Sequence, residues 1–154
     1  MSDEIVLTSD SCHVLPDNLG LIFGALVEPL AVAWHAVERS GIIELASGND
    51  AGPVCLVLGA GPIGLAILQI LITSGASKIL VSEVSTKRQE FAYSLRADQV
   101  MDPRQVDVIA ESKAISGGAG PDLVFDCVGL KQFLETACRA VRARGSIINV
   151  AVWN

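Results

Sequence analysis

The sequence predicts an α/β fold, a Rossmann-like doubly wound parallel sheet of five core strands in the order 3-2-1-4-5, lacking a sixth. Three observations carry this. Short apolar runs alternate with stretches of helical periodicity from residue 54 onward. The first run opens directly into glycines spaced G-x-G-x-x-G, at Gly59, Gly61 and Gly64. Of the 154 residues, 51% are hydrophobic and the mean hydropathy is +0.49, as a sheet covered on both faces demands.

The elements follow in order. "VCLVL", Val54 to Leu58, lies between Gly52-Pro53 and Gly59 and reads as a strand buried on both faces. From Pro62, Ile63, Ala66, Ile67, Ile70 and Leu71 recur at helical spacing, and Gly75 supplies the stop. Pro62 suits a first turn, where its missing N–H would have had no partner. The uncharged run from Val54 to Ala76 is long enough for a bilayer, but its glycines and proline favour strand, turn and helix. Lys78 to Ser82 is the second strand, and Thr86-x-x-Gln89 reads as a capping box opening a helix to about Ala97. "QVMDP" is a short third strand closed by Pro103, followed by a helix over about Arg104 to Ile115 and the loop "SGGAGPD". "LVFDCVG" is the fourth strand, Leu130 to Arg144 a helix ending in arginines before Gly145, and "SIINVAV" the fifth strand. Such a series gives parallel strands with right-handed crossovers.

The glycine motif has a physical reading. Gly59 permits the tight turn, Gly61 lets a ligand approach the backbone, and Gly64 lets the helix lie close on the strand. The exposed N–H groups of the helix start, from Ile63 onward behind Pro62, favour an anion, in this motif a pyrophosphate. Glu83 closes the second strand 19 residues after Gly64, where a Rossmann-like dinucleotide unit places the carboxylate that accepts both adenosine ribose hydroxyls. A 2′-phosphate would face that charge, so NAD(H) is expected over NADP(H). Arg88 has two readings, a cation along the adenosine ribose or a surface cation in the next helix.

Composition narrows the partners. A net charge of −6 and a pI near 4.8 argue against nucleic acid and anionic membranes. Cys12, Cys55, Cys127 and Cys138 show no C-x-x-C pairing, and Cys55 and Cys127 fall within expected strands, as buried thiols of a cytoplasmic protein would. No secretory signal is apparent at the start. Adjacent Cys12 and His13 point to opposite faces of an extended segment and make a poor ligand pair, and His35 reads as a packed, hydrogen-bonded histidine rather than a base.

"GALVEPLAVAWHAV", followed by "VLGAGPIG", "SE", "FDCVG" and "INVAVW", resembles the coenzyme domain of the zinc-dependent medium-chain alcohol dehydrogenases, within them the sorbitol and 2,3-butanediol dehydrogenase group. Arg96 stands where that family usually has glycine. The resemblance implies cofactor contacts from Cys127 and Val128 and from Val150 and Val152, flanking the nicotinamide half mainly through backbone groups. It also implies a catalytic zinc held by a cysteine and a His-Glu pair in another domain, and in many members a four-cysteine lobe. Neither motif occurs here. Only Glu28 matches a family position near that metal; its other reading is a carboxylate at a helix N-terminus.

The expected organisation is residues 1–20 as a remnant strand segment of a missing catalytic domain and 21–154 as an NAD-binding domain cut at its C-terminus. The expected function is hydride transfer between a secondary alcohol, such as 2,3-butanediol or sorbitol, and NAD, inactive without the catalytic domain. That half could come from another polypeptide. The contrasting reading is a non-catalytic module, either a nucleotide sensor or a remnant that forms homo-oligomers through open sheet edges, with weak or no cofactor binding.

Overall fold

The computed structural model describes residues 5–48 and 51–152. The outer domain limits expected at residues 1 and 154, and Trp153 of "INVAVW", lie outside the described residues. Five strands, β1 (Val54–Leu58), β2 (Lys78–Ser82), β3 (Gln99–Met101), β4 (Leu123–Asp126) and β5 (Ser146–Asn149), form one sheet. Its order is β3-β2-β1-β4-β5, parallel throughout, as expected. The helices are α1 (Leu21–Gly24), α2 (Val27–Arg39), α3 (Ile42–Ser47), α4 (Pro62–Thr73), α5 (Thr86–Ser94), α6 (Val108–Ile115) and α7 (Lys131–Ala140).

The alternation of β1 builds two cores. Cys55 and Val57 join Ala33 and Val37 of α2 and Ile67 and Leu71 of α4 on one face. Leu56 and Leu58 join Val108 of α6 and Ala137 and Ala140 of α7 on the other. With both faces covered, every strand residue on β1 is apolar, and the hydrophobic runs follow from that. Leu21–Arg39 is long and apolar enough by composition to cross a membrane. In the fold, however, α2 turns Ala33, Ala36 and Val37 inward.

Several elements end earlier than the sequence pattern indicates, each for a local reason. The fourth strand stops at Asp126 because its Oδ1 accepts the N–H groups of Val128 and Gly129 and turns the chain out of the ladder. The fifth stops at Asn149, where Val150 and Ala151 both donate to the Asp126 carbonyl. Cys127 therefore lies just past β4 rather than within it. The last helix runs only from Lys131 to Ala140, since Val141 is extended and the Arg142 N–H turns to the Pro121 carbonyl. α6 begins at Val108, with Asp107 as its cap accepting from Ile109 and Ala110 N–H. No capping box forms at α5: Ser85 precedes the helix, and the Gln89 amide donates instead to the Glu83 carbonyl. Arg96 takes the left-handed conformation, φ 69°, in which glycine carries no steric penalty.

The strand-like pieces over residues 5–20 form no strand. A single 3-10 turn, Ser9–Ser11, interrupts the segment, and Ile5, Val6 and Val14 are exposed. His35 is also not packed: its side chain is 71% exposed, 3.6 Å from Glu38, because the buried stripe of α2 is Ala33, Ala36 and Val37.

Two carboxylates tie strand starts together. Asp98, just before β3, accepts from Ile79 N–H at 2.7 Å, and Asp122, just before β4, accepts from Val54 N–H at 2.8 Å. Asp122 also receives the Arg142 Nε at 2.5 Å, while its backbone pairs with Val54 and Ser146. Asp122→Ala leaves the Val54 N–H unpaired and frees Arg142. We expect a loss of about 2 kcal/mol, read as a lower urea midpoint at unchanged slope.

Candidate functional site

The glycines serve three separate ends. After β1 the chain turns at Gly59, whose φ is 92° and where a Cβ would stand 2.8 Å from Val128 Cγ2. A Cβ on Gly64 would fall 1.9 Å from the Gly59 carbonyl oxygen, so helix and turn pack backbone to backbone. Around Gly61 a Cβ meets nothing within 4 Å. Gly61 caps α4 in an extended conformation, Pro62 follows in the first turn, and no side chain caps this helix. The first-turn N–H groups are thus left for a ligand, and space beside Gly61 lets one reach them.

Glu83 is buried, 6% exposed, directly beyond β2. Its Oε2 accepts from Ala60 N–H and its Oε1 from Ser85 N–H, both at 2.8 Å. The carboxylate therefore ties the glycine turn to the β2–α5 loop, and each oxygen keeps a further lone pair for a hydroxyl donor. Arg88 Nη1 stands 4.0 Å from Oε2 on a half-exposed side chain. The same loop is held from the other side by Arg104, whose Nη2 donates to the Val84 carbonyl and to Asp102 Oδ2, each at 2.6 Å.

Arg104 holds the Asp102 carboxyl down at about 2, against an ordinary 3.8, chiefly by hydrogen bonding. A depressed carboxyl stabilises the fold above its ordinary value and loses that contribution as pH falls through the folded one. The stability gap between the parental chain and Arg104→Ala is therefore expected to hold from neutral pH to about 4 and to close towards pH 2. Urea midpoints measured across that range check it.

The glycine turn and Glu83 line a cleft of about 440 Å³ at the C-terminal ends of the strands. It brings together Gly59, Gly61, Glu83, Arg88, Cys127 and Val128, six of the expected binding residues. Gly64 lies behind it as packing, and Pro62 and Ile63 occupy the first turn of α4 without lining it. Val150 lies elsewhere, in a groove of about 530 Å³ between α2 and β5, and Val152 is exposed. Glu28 sits exposed in the first turn of α2. Among the described residues no three His, Cys, Asp or Glu side chains gather as a metal site, so they do not fit a zinc ion. Burial, and then Asp126, push the Cys127 thiol up to about 12, which makes it an uncharged wall rather than a nucleophile.

Sequence reasoning missed Ser82, Val84, Pro103 and Phe133 on the cleft wall, and Asp126 beneath it. A signal existed for the strand ends. The order 3-2-1-4-5 reverses direction between β1 and β4, and residues closing the strands on either side of that switch face one crevice. For Phe133 there was none, since it also fits the apolar stripe of α7.

Comparison with known proteins agrees with this geometry. The family model described as zinc-binding dehydrogenase matches residues 62–154. The (R,R)-butanediol dehydrogenase of Neisseria gonorrhoeae is 36% identical over 155 residues, covering 100% of this chain and 42% of that enzyme. The structure of 2R,3R-butanediol dehydrogenase from Bacillus subtilis is 37% identical with a TM-score of 0.77, over 91% of this chain and 38% of that one. A structure from Sinorhizobium meliloti 1021 bound to NADP is 30% identical with a TM-score of 0.77, over 90% and 39% of the two chains. The chain spans about two fifths of the length of the relatives it matches. With a parallel sheet in the order 3-2-1-4-5, a glycine cleft at its switch point and a family match over more than half its residues, the chain belongs to the zinc-binding dehydrogenase family.

Proposed function

We propose that this chain is the NAD(H)-binding part of a medium-chain dehydrogenase acting on a secondary alcohol of the butanediol or polyol class. The observation that carries the reading is Glu83, buried at the cleft with both oxygens aligned by backbone N–H groups and a lone pair left on each. Gly59, Gly61 and the open first turn of α4 would hold the pyrophosphate, with Pro62 and Ile63 fixing that turn. Glu83 would take the ribose hydroxyls, Arg88 would lie along the adenosine, and Cys127 and Val128 would wall the cleft. Val150 and Val152, beyond β5, would reach the nicotinamide end only through their backbone. When bound, the nicotinamide ring supplies the hydride acceptor for the alcohol carbon as the hydroxyl gives up its proton.

The chain's own part is binding and orientation. Because its described residues hold no metal set, catalysis would require a domain that brings the zinc ligands, with Glu28 the one family-matched carboxylate here. The acidic chain and its free thiols support a cytoplasmic enzyme with no nucleic-acid partner. Titration of the purified chain by calorimetry tests the reading. NADH is expected to bind at least about tenfold more tightly than NADPH, whose 2′-phosphate meets the Glu83 charge. Equal affinities, or none for either, would overturn it.

One observation favours a second reading, a non-catalytic module that oligomerises. Leu21, Ile22, Phe23, Leu26, Leu30 and Trp34 form an exposed apolar run along α1 and α2. Sedimentation across a concentration series separates the two: this reading needs self-association without cofactor binding.

A further inference from the structure

The cleft wall opposite Glu83 has an anchor to which the glycine motif does not point. Asp126 closes β4 and is fully buried. Its Oδ1 accepts from Val128 N–H at 3.0 Å and from Gly129 N–H at 3.2 Å. Its carbonyl accepts from Val150 N–H at 3.0 Å and Ala151 N–H at 3.1 Å. One residue thus fixes both the β4–α7 turn and the segment after β5. The two are in contact, since a Cβ on Gly129 would stand 2.8 Å from that of Ala151.

The remaining oxygen, Oδ2, is buried with no hydrogen-bond partner among the described residues. A fully buried carboxylate is a costly choice for a core position, where an apolar side chain would carry no such desolvation cost. What an apolar side chain could not do is hold two consecutive N–H groups so that Val128 projects beside Gly59. We propose that Asp126 is a positioning residue, setting the turn that carries Val128 and thereby the width of the cleft, so that cofactor affinity depends on its Oδ1. This rests on the cleft being the dinucleotide site.

The requirement is for an acceptor, not for charge. In Asp126→Asn the amide oxygen takes the place of Oδ1 and the amide nitrogen that of the idle Oδ2, exchanging one unpartnered atom for another. Asp126→Leu keeps the branched four-atom skeleton, with methyl groups larger than the oxygens they replace, and offers no acceptor. Calorimetric titration with NADH and with 5′-AMP, and amide hydrogen exchange at Val128 and Gly129, would be measured on the parental chain and both variants. Asp126→Asn is expected to bind both ligands within about threefold of the parental chain, and Asp126→Leu at least about tenfold more weakly. A purely structural residue would lower the unfolding temperature of Asp126→Leu but leave the affinity of its folded fraction unchanged.

Undiminished binding by folded Asp126→Leu, or Asp126→Asn as weak as Asp126→Leu, overturns the inference alone. Should Asp126→Leu not fold, slow exchange at both amides with retained binding in Asp126→Asn supports it, and fast exchange at either amide in the parental chain overturns it. Absence of NADH binding by the parental chain overturns the functional reading itself, and this inference with it.

Discussion

Gly64→Ala is expected to cost about 3 kcal/mol, a large share of the roughly 5–15 kcal/mol that keeps a single domain folded, read as a lower urea midpoint. Judged by helix propensity alone the change should help, because alanine in a helix interior is favoured over glycine by about 1 kcal/mol. Packing decides the sign. The new Cβ would fall 1.9 Å from the Gly59 carbonyl oxygen and 3.4 Å from Val57 Cγ1. The first neighbour is backbone of the turn leaving the central strand, so relief requires α4 to lift off β1. That opens the core where Ile67, Leu68 and Leu71 are fully buried. Gly61→Ala is the matched control. Its Cβ meets nothing within 4 Å and its φ of −70° suits any residue, so its urea midpoint should stay close to the parental value. Its methyl group would, however, occupy the space through which a ligand reaches the first-turn N–H groups, so NADH affinity should fall by at least about tenfold. Two glycines three residues apart are thus expected to separate stability from binding. Equal stability losses in the two variants would show that the turn, rather than the helix contact, sets the requirement at Gly64.

The strands were legible because both faces of the sheet are covered. A buried parallel strand has no polar side to blur its pattern, so Val54–Leu58 and Lys78–Ser82 could be bounded to the residue from apolar runs and flanking turn signals. Where elements end on a single hydrogen bond, the pattern misled. Nothing in "LVFDCVG" distinguishes a strand of seven residues from one of four closed by an aspartate that captures the next two usable N–H groups. The site divides similarly. Gly59, Gly61 and Glu83 were readable because each answers a local demand of geometry or charge at fixed spacing. Val84 and Pro103 line the cleft where Arg104 bonds back to the Val84 carbonyl, and a contact over 20 residues leaves no local signature. Val150 was placed by family likeness, and the groove it occupies is bounded by α2, an element whose packing depends on tertiary contacts alone.

Glu83→Gln is expected to lower NADH affinity by about a hundredfold and to reduce the preference over NADPH to within a fewfold. The substitution is nearly isosteric, so the outcome rests on hydrogen-bond polarity. In the parental chain both carboxylate oxygens face N–H donors, from Ala60 and from Ser85. A glutamine offers one oxygen and one NH₂, and whichever way it lies its NH₂ meets a donor, leaving one buried N–H unpaired at about 1–3 kcal/mol. The penalty falls on the loop joining β1 to α4 and on the start of α5, the two elements that bound the ribose position. Of the two acceptors offered to ribose hydroxyls, one becomes a donor and the other loses its charge assistance. Discrimination changes for a different reason. The buried charge that repels a 2′-phosphate is gone, while Arg88, 4.0 Å from Oε2 in the parental chain, keeps its cation and loses its counter-charge. Glu83→Asp separates the two effects. It retains the charge on a shorter arm, so it should bind NADH weakly yet still exclude NADPH. If Glu83→Gln binds NADH at parental affinity with NADPH still excluded, Glu83 is only a brace between two loops, and selection between the dinucleotides lies with other groups on the cleft wall.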